Sequence, residues 1–138
     1  MYIVLGLLSA FFAALVAIFG KIGISKIDTT LATTMRALVM CLFFLATATA
    51  LGKWKQFGAI DSRAMLFIVL SGLAGALSWL CYFWALKMGP TSAVVALDRL
   101  SVILTVVFAA IFLSEKVTLL GWLGATLMAV GAVMLTVK

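Results

Sequence analysis

Five apolar stretches, each long enough at about 20 residues to cross a bilayer core, follow one another along this chain with short polar segments between them. They cover residues 2–20, 29–51, 64–88, 92–113 and 117–137. A helix rises about 1.5 Å per residue, so each stretch matches a hydrocarbon thickness of roughly 30 Å. A soluble domain is about half apolar and a quarter charged, whereas this chain is 67% hydrophobic and 10% charged, with a mean hydropathy of +1.35. The expected fold is an all-α membrane protein of five transmembrane helices, in which every backbone polar group is satisfied inside its own helix. The spans leave no room for a soluble domain, so residues 1–138 are read as one five-helix transmembrane domain that acts inside the bilayer. No basic residue precedes the apolar run after Met1, so the first helix is expected to be retained and not cleaved.

The connections "KIGISKID", "GKWKQFGAIDSR", "GPTS" and "SEK" are short. Short connections fold consecutive helices into an up-and-down bundle, and Gly89-Pro90 supplies a helix stop with Thr91 or Ser92 as the next cap. Trp54, Trp84 and Trp122 lie near lysines, as expected for rings at headgroup level. Orientation is normally set by an excess of Lys and Arg in cytoplasmic loops. Here the two faces balance: Lys53, Lys55, Arg63 and Lys116 lie on one, Lys21, Lys26, Lys87 and Lys138 on the other. A chain with no such bias is expected to insert both ways and to pair with an inverted copy, giving the ten-helix inverted repeat from which many transporters are built. The competing expectation is a single orientation set by other factors or by a partner protein.

The remaining basic residues, Arg36 and Arg99, lie within spans, as does Asp98. Residues three, four and seven apart share a helix face. On that spacing Asp98 is joined by Thr91, Ser101 and Thr105, Arg36 by Thr29 and Thr33, and Ser71 by Ser78 and Tyr82. Three polar faces, two of them charged, predict a shared polar interior in place of the self-bonded hydroxyls common in membrane helices. Adjacent helical residues point about 100° apart, so Arg99 is not the natural partner of Asp98. Arg36 and Asp98 each lie about 9 Å from helix starts on one membrane face, which predicts a pair between spans two and four. Arg99 then meets the opposed copy or snorkels to the headgroups. A lone intramembrane aspartate costs about 3 kcal/mol on insertion scales. Two readings fit its presence: a solute or proton site lined by Asp98 and Arg36, and a salt bridge that fixes helix packing. Trp79 and Tyr82, in "WLCYFW", add stacking surface on the first reading and core on the second. In span five the small residues Gly121, Gly124, Ala125 and Gly131 permit close helix approach and are expected at a dimer contact.

Metal, cofactor and nucleic-acid chemistry are not expected. The chain has no His, Cys41 and Cys81 lack ligand spacing, and no basic cluster carries interleaved aromatics. An enzyme is equally unexpected, since no Ser-based triad or reactive Cys arrangement is available.

The stretch "YFWALKMGPTSAVVALDRLSVILTVVFAAIFLSEKVTLLGWLGATLMAVGAVML" resembles EamA-type members of the drug/metabolite transporter superfamily. "FFAALVAIFGKIGI" and "LATTMRALV" extend the likeness to the first half, and "ALKMGPTSAVVALDRLS" and "FLSEKVTLLGWLG" are its most specific pieces. The chain is similar in size to the short, five-helix, single-repeat group, half of a ten-helix relative. The resemblance implies secondary transport of small metabolites or drugs by an antiparallel homodimer enclosing a central cavity, with a prokaryotic plasma membrane as its location. Many longer relatives have a proline where this chain reads Asp98-Arg99-Leu100, so their solute contacts are not carried over at that point. Glu115, where the family commonly has a glutamate, stands beside Lys116 and reads as structural. Mixed charges favour a zwitterionic or polar solute, such as an amino acid, over a cationic drug. The alternative is a non-transporting membrane subunit that assembles with another half-transporter or stabilises a complex.

Overall fold

In a computed structural model of the chain, which describes residues 1–137, the regular structure is helical and no strand occurs among the described residues. Lys138, counted above among the basic residues, lies outside them. The helices are α1 (Tyr2–Gly23), α2 (Thr29–Ala50), a 3-10 helix (Lys53–Ala59), α3 (Ser62–Met88), α4 (Thr91–Asp98), α5 (Ser101–Phe112) and α6 (Leu119–Met134). Four helical stretches are long and apolar enough to cross a membrane: α1, α2, α3 and Thr91–Phe112, which contains α4 and α5. The fifth apolar segment is shorter as a helix than expected. The 16 residues of α6 reach about 24 Å at the usual rise, because Thr118 is extended and caps the helix, its hydroxyl accepting the Gly121 N–H at 3.2 Å.

The start of α2 shows how local chemistry places an element. Asp28 is extended, and one carboxylate oxygen accepts the N–H groups of Thr30 and Leu31 at 2.9 and 3.0 Å. These are donors that a helix start leaves without intrahelical partners, and the carboxylate also meets the positive end of the helix dipole. Asp28→Ala is expected to lower stability by about 1 kcal/mol, read as a lower thermal midpoint of the purified protein, while Asp28→Asn should retain most of it.

The chain forms two compact units, Gly20–Lys87 and Met1–Phe19 with Met88–Lys138. In the first, Ile24, Phe83 and Leu86 are buried, and Leu86 is 0% exposed. Gly20 in the last turn of α1 lies against this group: a Cβ there would stand 2.8 Å from Phe83 Cε1 and 3.5 Å from Leu86 Cδ2. The Lys21 ammonium donates to the Leu86 carbonyl, and Lys87 Nζ donates to the Ile27 carbonyl at 2.9 Å. The Leu86 carbonyl is among the last of α3, where a helix lacks its own donors and favours a cation. At the other end of α2, Gly52 takes a left-handed backbone (φ 61°), which glycine adopts without steric cost, and leads into the 3-10 helix. Trp54 Nε1 donates to Thr49 Oγ1 at 3.0 Å there.

In the second unit, α6 packs on both α4 and α5. Its buried positions are Ala125 and Ala132, seven apart and so on one face, where small side chains allow close approach. Val94 and Ala96 are buried on α4. Pro90, not Thr91 or Ser92, holds the cap position of α4: it is extended and its carbonyl accepts the Val94 N–H at 3.1 Å, so Thr91 is already helical.

Between α4 and α5 the ladder tightens at Arg99 and Leu100, which keep right-handed dihedrals. Arg99 N–H is shared between the Val95 and Ala96 carbonyls at 3.3 and 3.1 Å, Leu100 N–H reaches Leu97 at 3.0 Å, and Val102 N–H reaches Arg99 at 3.0 Å. All but the Arg99–Val95 bond reach the residue three back, the 3-10 pattern that in a helix interior marks strain or a hinge. The adjacent charges Asp98 and Arg99 therefore sit at the one interruption of an otherwise 22-residue apolar helix.

Candidate functional site

Within the Gly20–Lys87 unit, α2 and α3 enclose a groove of about 730 Å³. From α2 it is lined by Thr33, Thr34, Arg36, Ala37, Met40, Cys41 and Phe44, and from α3 by Gly72, Gly75, Ala76, Trp79 and Leu80. The spacing explains the membership: 33, 36, 37, 40 and 44 form one face of a helix, as do 72, 75, 76 and 79. The floor is open where α3 has no side chains, since nothing lies within 4 Å of a Cβ built at Gly72 or Gly75.

Arg36 is the charged member of the lining. It is half-buried, and its Cζ lies 3.6 Å from the centroid of the Trp79 ring and 5.5 Å from that of Phe83. A guanidinium over an aromatic face is held by the ring quadrupole, worth about 0.5 to 2 kcal/mol as desolvation increases. Trp79 is itself held in a cluster: Tyr82 and Phe83, three and four residues on, place their ring centroids 5.6 and 5.7 Å away. Tyr82 and Phe83 meet edge-on at 85° with centroids 5.7 Å apart. Edge-to-face pairs of this kind fix ring orientation beyond simple burial. Buried Phe83 thus joins the Gly20 packing to the Trp79 platform beneath Arg36.

The groove hydroxyls are engaged with backbone. Thr33 Oγ1 donates to the Thr29 carbonyl at 2.7 Å and Thr34 Oγ1 to the Thr30 carbonyl at 2.8 Å. Their protons are committed, so each presents an acceptor to the groove.

Of the residues expected on a solute path, the structure brings Thr33, Arg36 and Trp79 together on this groove and places Tyr82 in the aromatic cluster behind it. Ser78 is exposed and does not line the groove. Asp98, Arg99, Ser101 and Thr105 belong to the other unit and are exposed, Asp98 and Ser101 flanking the interruption. Of the small residues expected at a dimer contact, Gly124 and Gly131 are exposed with open space at a built Cβ. Gly121 is packed locally, its built Cβ 2.9 Å from Val117 Cγ1. Ala125 is 5% exposed and is buried within its own unit. The apolar walls at Met40, Phe44, Gly72 and Leu80 were not singled out by sequence reasoning. For Met40 and Phe44 the signal was present, at four- and eight-residue steps from Arg36, but an apolar residue carries no contrast on a helix that is apolar all round.

The chain is 44% identical over 131 residues to a Sinorhizobium protein described as an uncharacterized transporter in the cobO 3′ region, covering 95% of this chain and 93% of the relative. It is 27% identical over 138 residues to an uncharacterized protein of Methanocaldococcus jannaschii, covering 99% and 96% respectively. No solved structure matches. The model of the EamA-like transporter family matches residues 1–137. With the apolar helices and the charged groove between two of them, this establishes the chain as an integral membrane protein belonging to the EamA-like transporter family.

Proposed function

We propose that this transporter works by alternating access as an antiparallel homodimer, in which two inverted copies, each a single five-helix repeat, complete a ten-helix assembly. The observation that carries the reading is Arg36: a guanidinium half-buried in an apolar groove and stacked on an indole is of no use to a lipid-facing surface and suits a solute path. The balanced basic residues of the two loop faces support dual insertion. Gly124 and Gly131, seven apart and open, supply a helix face that allows close contact with the second copy. The fifth crossing is made by α6 with the apolar residues Val117, Leu135 and Val137 beside it.

Asp98 is the second charge of the path in this proposal. Its place at the α4–α5 interruption supports that role, because broken helices are where transporters build solute and ion sites. The setting is the plasma membrane of a prokaryote, in keeping with the bacterial and archaeal relatives.

The test is reconstitution of the purified chain alone in liposomes, with a metabolite flux screen run with and without a pH gradient. Flux from the single chain is expected, as are both orientations of a terminal tag. Asp98→Asn should fold and lose at least about tenfold in flux, the order expected when a charge that meets the solute is removed. A stable but silent assembly would support a non-transporting subunit instead, and unchanged flux in Asp98→Asn would remove that residue from the path.

A further inference from the structure

The walls of the α2–α3 groove also specify what kind of solute it takes. The Trp79 indole occupies one face of the Arg36 guanidinium at 3.6 Å. Its N–H donors lie in the guanidinium plane, so they remain directed edge-on, the geometry that meets a carboxylate with two parallel hydrogen bonds. No Asp or Glu lines the groove, so an arriving anion finds a positive charge that no carboxylate of the wall offsets, and an arriving cation finds repulsion. Thr33 and Thr34 have already given their hydroxyl protons to backbone carbonyls, which makes the wall poor in donors for a polyhydroxylated solute. Beyond Arg36 the groove is apolar: Met40 and Phe44 face the trough left by Gly72 and Gly75. Its volume of about 730 Å³ falls in the range of pockets that hold drug-sized molecules.

We propose that the groove selects organic monocarboxylates with an apolar body, the carboxylate read edge-on by Arg36 on its Trp79 platform and the body lying along the Gly72–Gly75 trough. This rests on the groove being part of the solute path, but it is tested by binding and so stands apart from the transport mechanism. The probes are 4-phenylbutyrate, its primary amide and 4-phenylbutylamine, which share one body and differ in the charge of the head. Binding is measured by isothermal titration to the protein in nanodiscs of zwitterionic lipid, with empty discs subtracted for partitioning.

The acid is expected to bind at least tenfold more tightly than the amide, with the amine weakest. Arg36→Gln should remove that preference, and Gly75→Leu should weaken all three by filling the trough. Amide or amine binding as tight as the acid, or an acid preference surviving in Arg36→Gln, would overturn the proposal. Loss of acid binding when the discs contain anionic lipid would assign the groove to a lipid headgroup and overturn it as well. Acid binding without flux from liposomes would leave this assignment standing and defeat the transport mechanism.

Discussion

Arg36→Gln is expected to reduce solute flux by about two orders of magnitude, the scale on which removing one partner of a desolvated charge contact acts, roughly 2–5 kcal/mol. Arg36→Lys should recover part of this, because an ammonium keeps the charge but loses the planar fork that stacks on Trp79 and meets an oxyanion with two bonds. The accompanying stability change separates a solute site from a packing salt bridge. A basic side chain within a span costs up to about 2.5–3.5 kcal/mol, the helix-centre value on insertion scales, and the stacking contact on Trp79 returns about 0.5–2 kcal/mol. Arg36→Gln should therefore be as stable as the parent, or more so, by thermal unfolding in detergent, while being inactive. A packing role requires the reverse: loss of stability with flux surviving in whatever protein remains folded.

Gly20→Leu is expected to abolish most of the folded protein. A Cβ at Gly20 would lie 2.8 Å from Phe83 Cε1 and 3.2 Å from its Cζ. Phe83 has little freedom to retreat, being 2% exposed and held between Trp79 and Tyr82. Overpacking a well-filled site costs about 1–3 kcal/mol, so Gly20→Ala should already lower the thermal midpoint. The three further carbons of leucine should exceed what a marginally stable protein tolerates. Because Phe83 supports the Trp79 platform, Gly20→Ala should also weaken solute binding although the residue lies outside the groove. Gly6→Leu on the same helix is the control: nothing lies within 4 Å of its built Cβ, and yield and thermal midpoint should not change.

The helical, membrane-embedded character of the chain was legible because length and apolarity alone decide it: no water competes for backbone hydrogen bonds in lipid, so an apolar run of sufficient length has one solution. The starts of α2 and α3 fall within two residues of the expected ones for the same reason. Arg36 and Thr33, which line the groove, stood out as candidates because polar groups are rare in these spans, and rarity is itself the signal. The α4–α5 interruption was not. It contains neither Pro nor Gly, and Arg99 and Leu100 remain in the right-handed region, so no local residue announces the change from four-residue to three-residue bonding.

Composition and the lengths of the apolar runs suffice to make this chain a helical membrane protein with a few intramembrane charges, and short motifs place it near EamA transporters. What those charges and small residues face follows from how the helices pack. Arg36 lies on the Trp79 ring, Gly20 makes room for Phe83, Ala125 turns inward while Gly124 and Gly131 remain open, and Met40 and Phe44 become groove walls. The physical reason is the absence of amphipathic contrast. In a soluble helix, polarity marks the buried face. In an apolar helix every face is chemically alike, and the facing of each residue is set by steric fit between helices and not by the pattern along one of them.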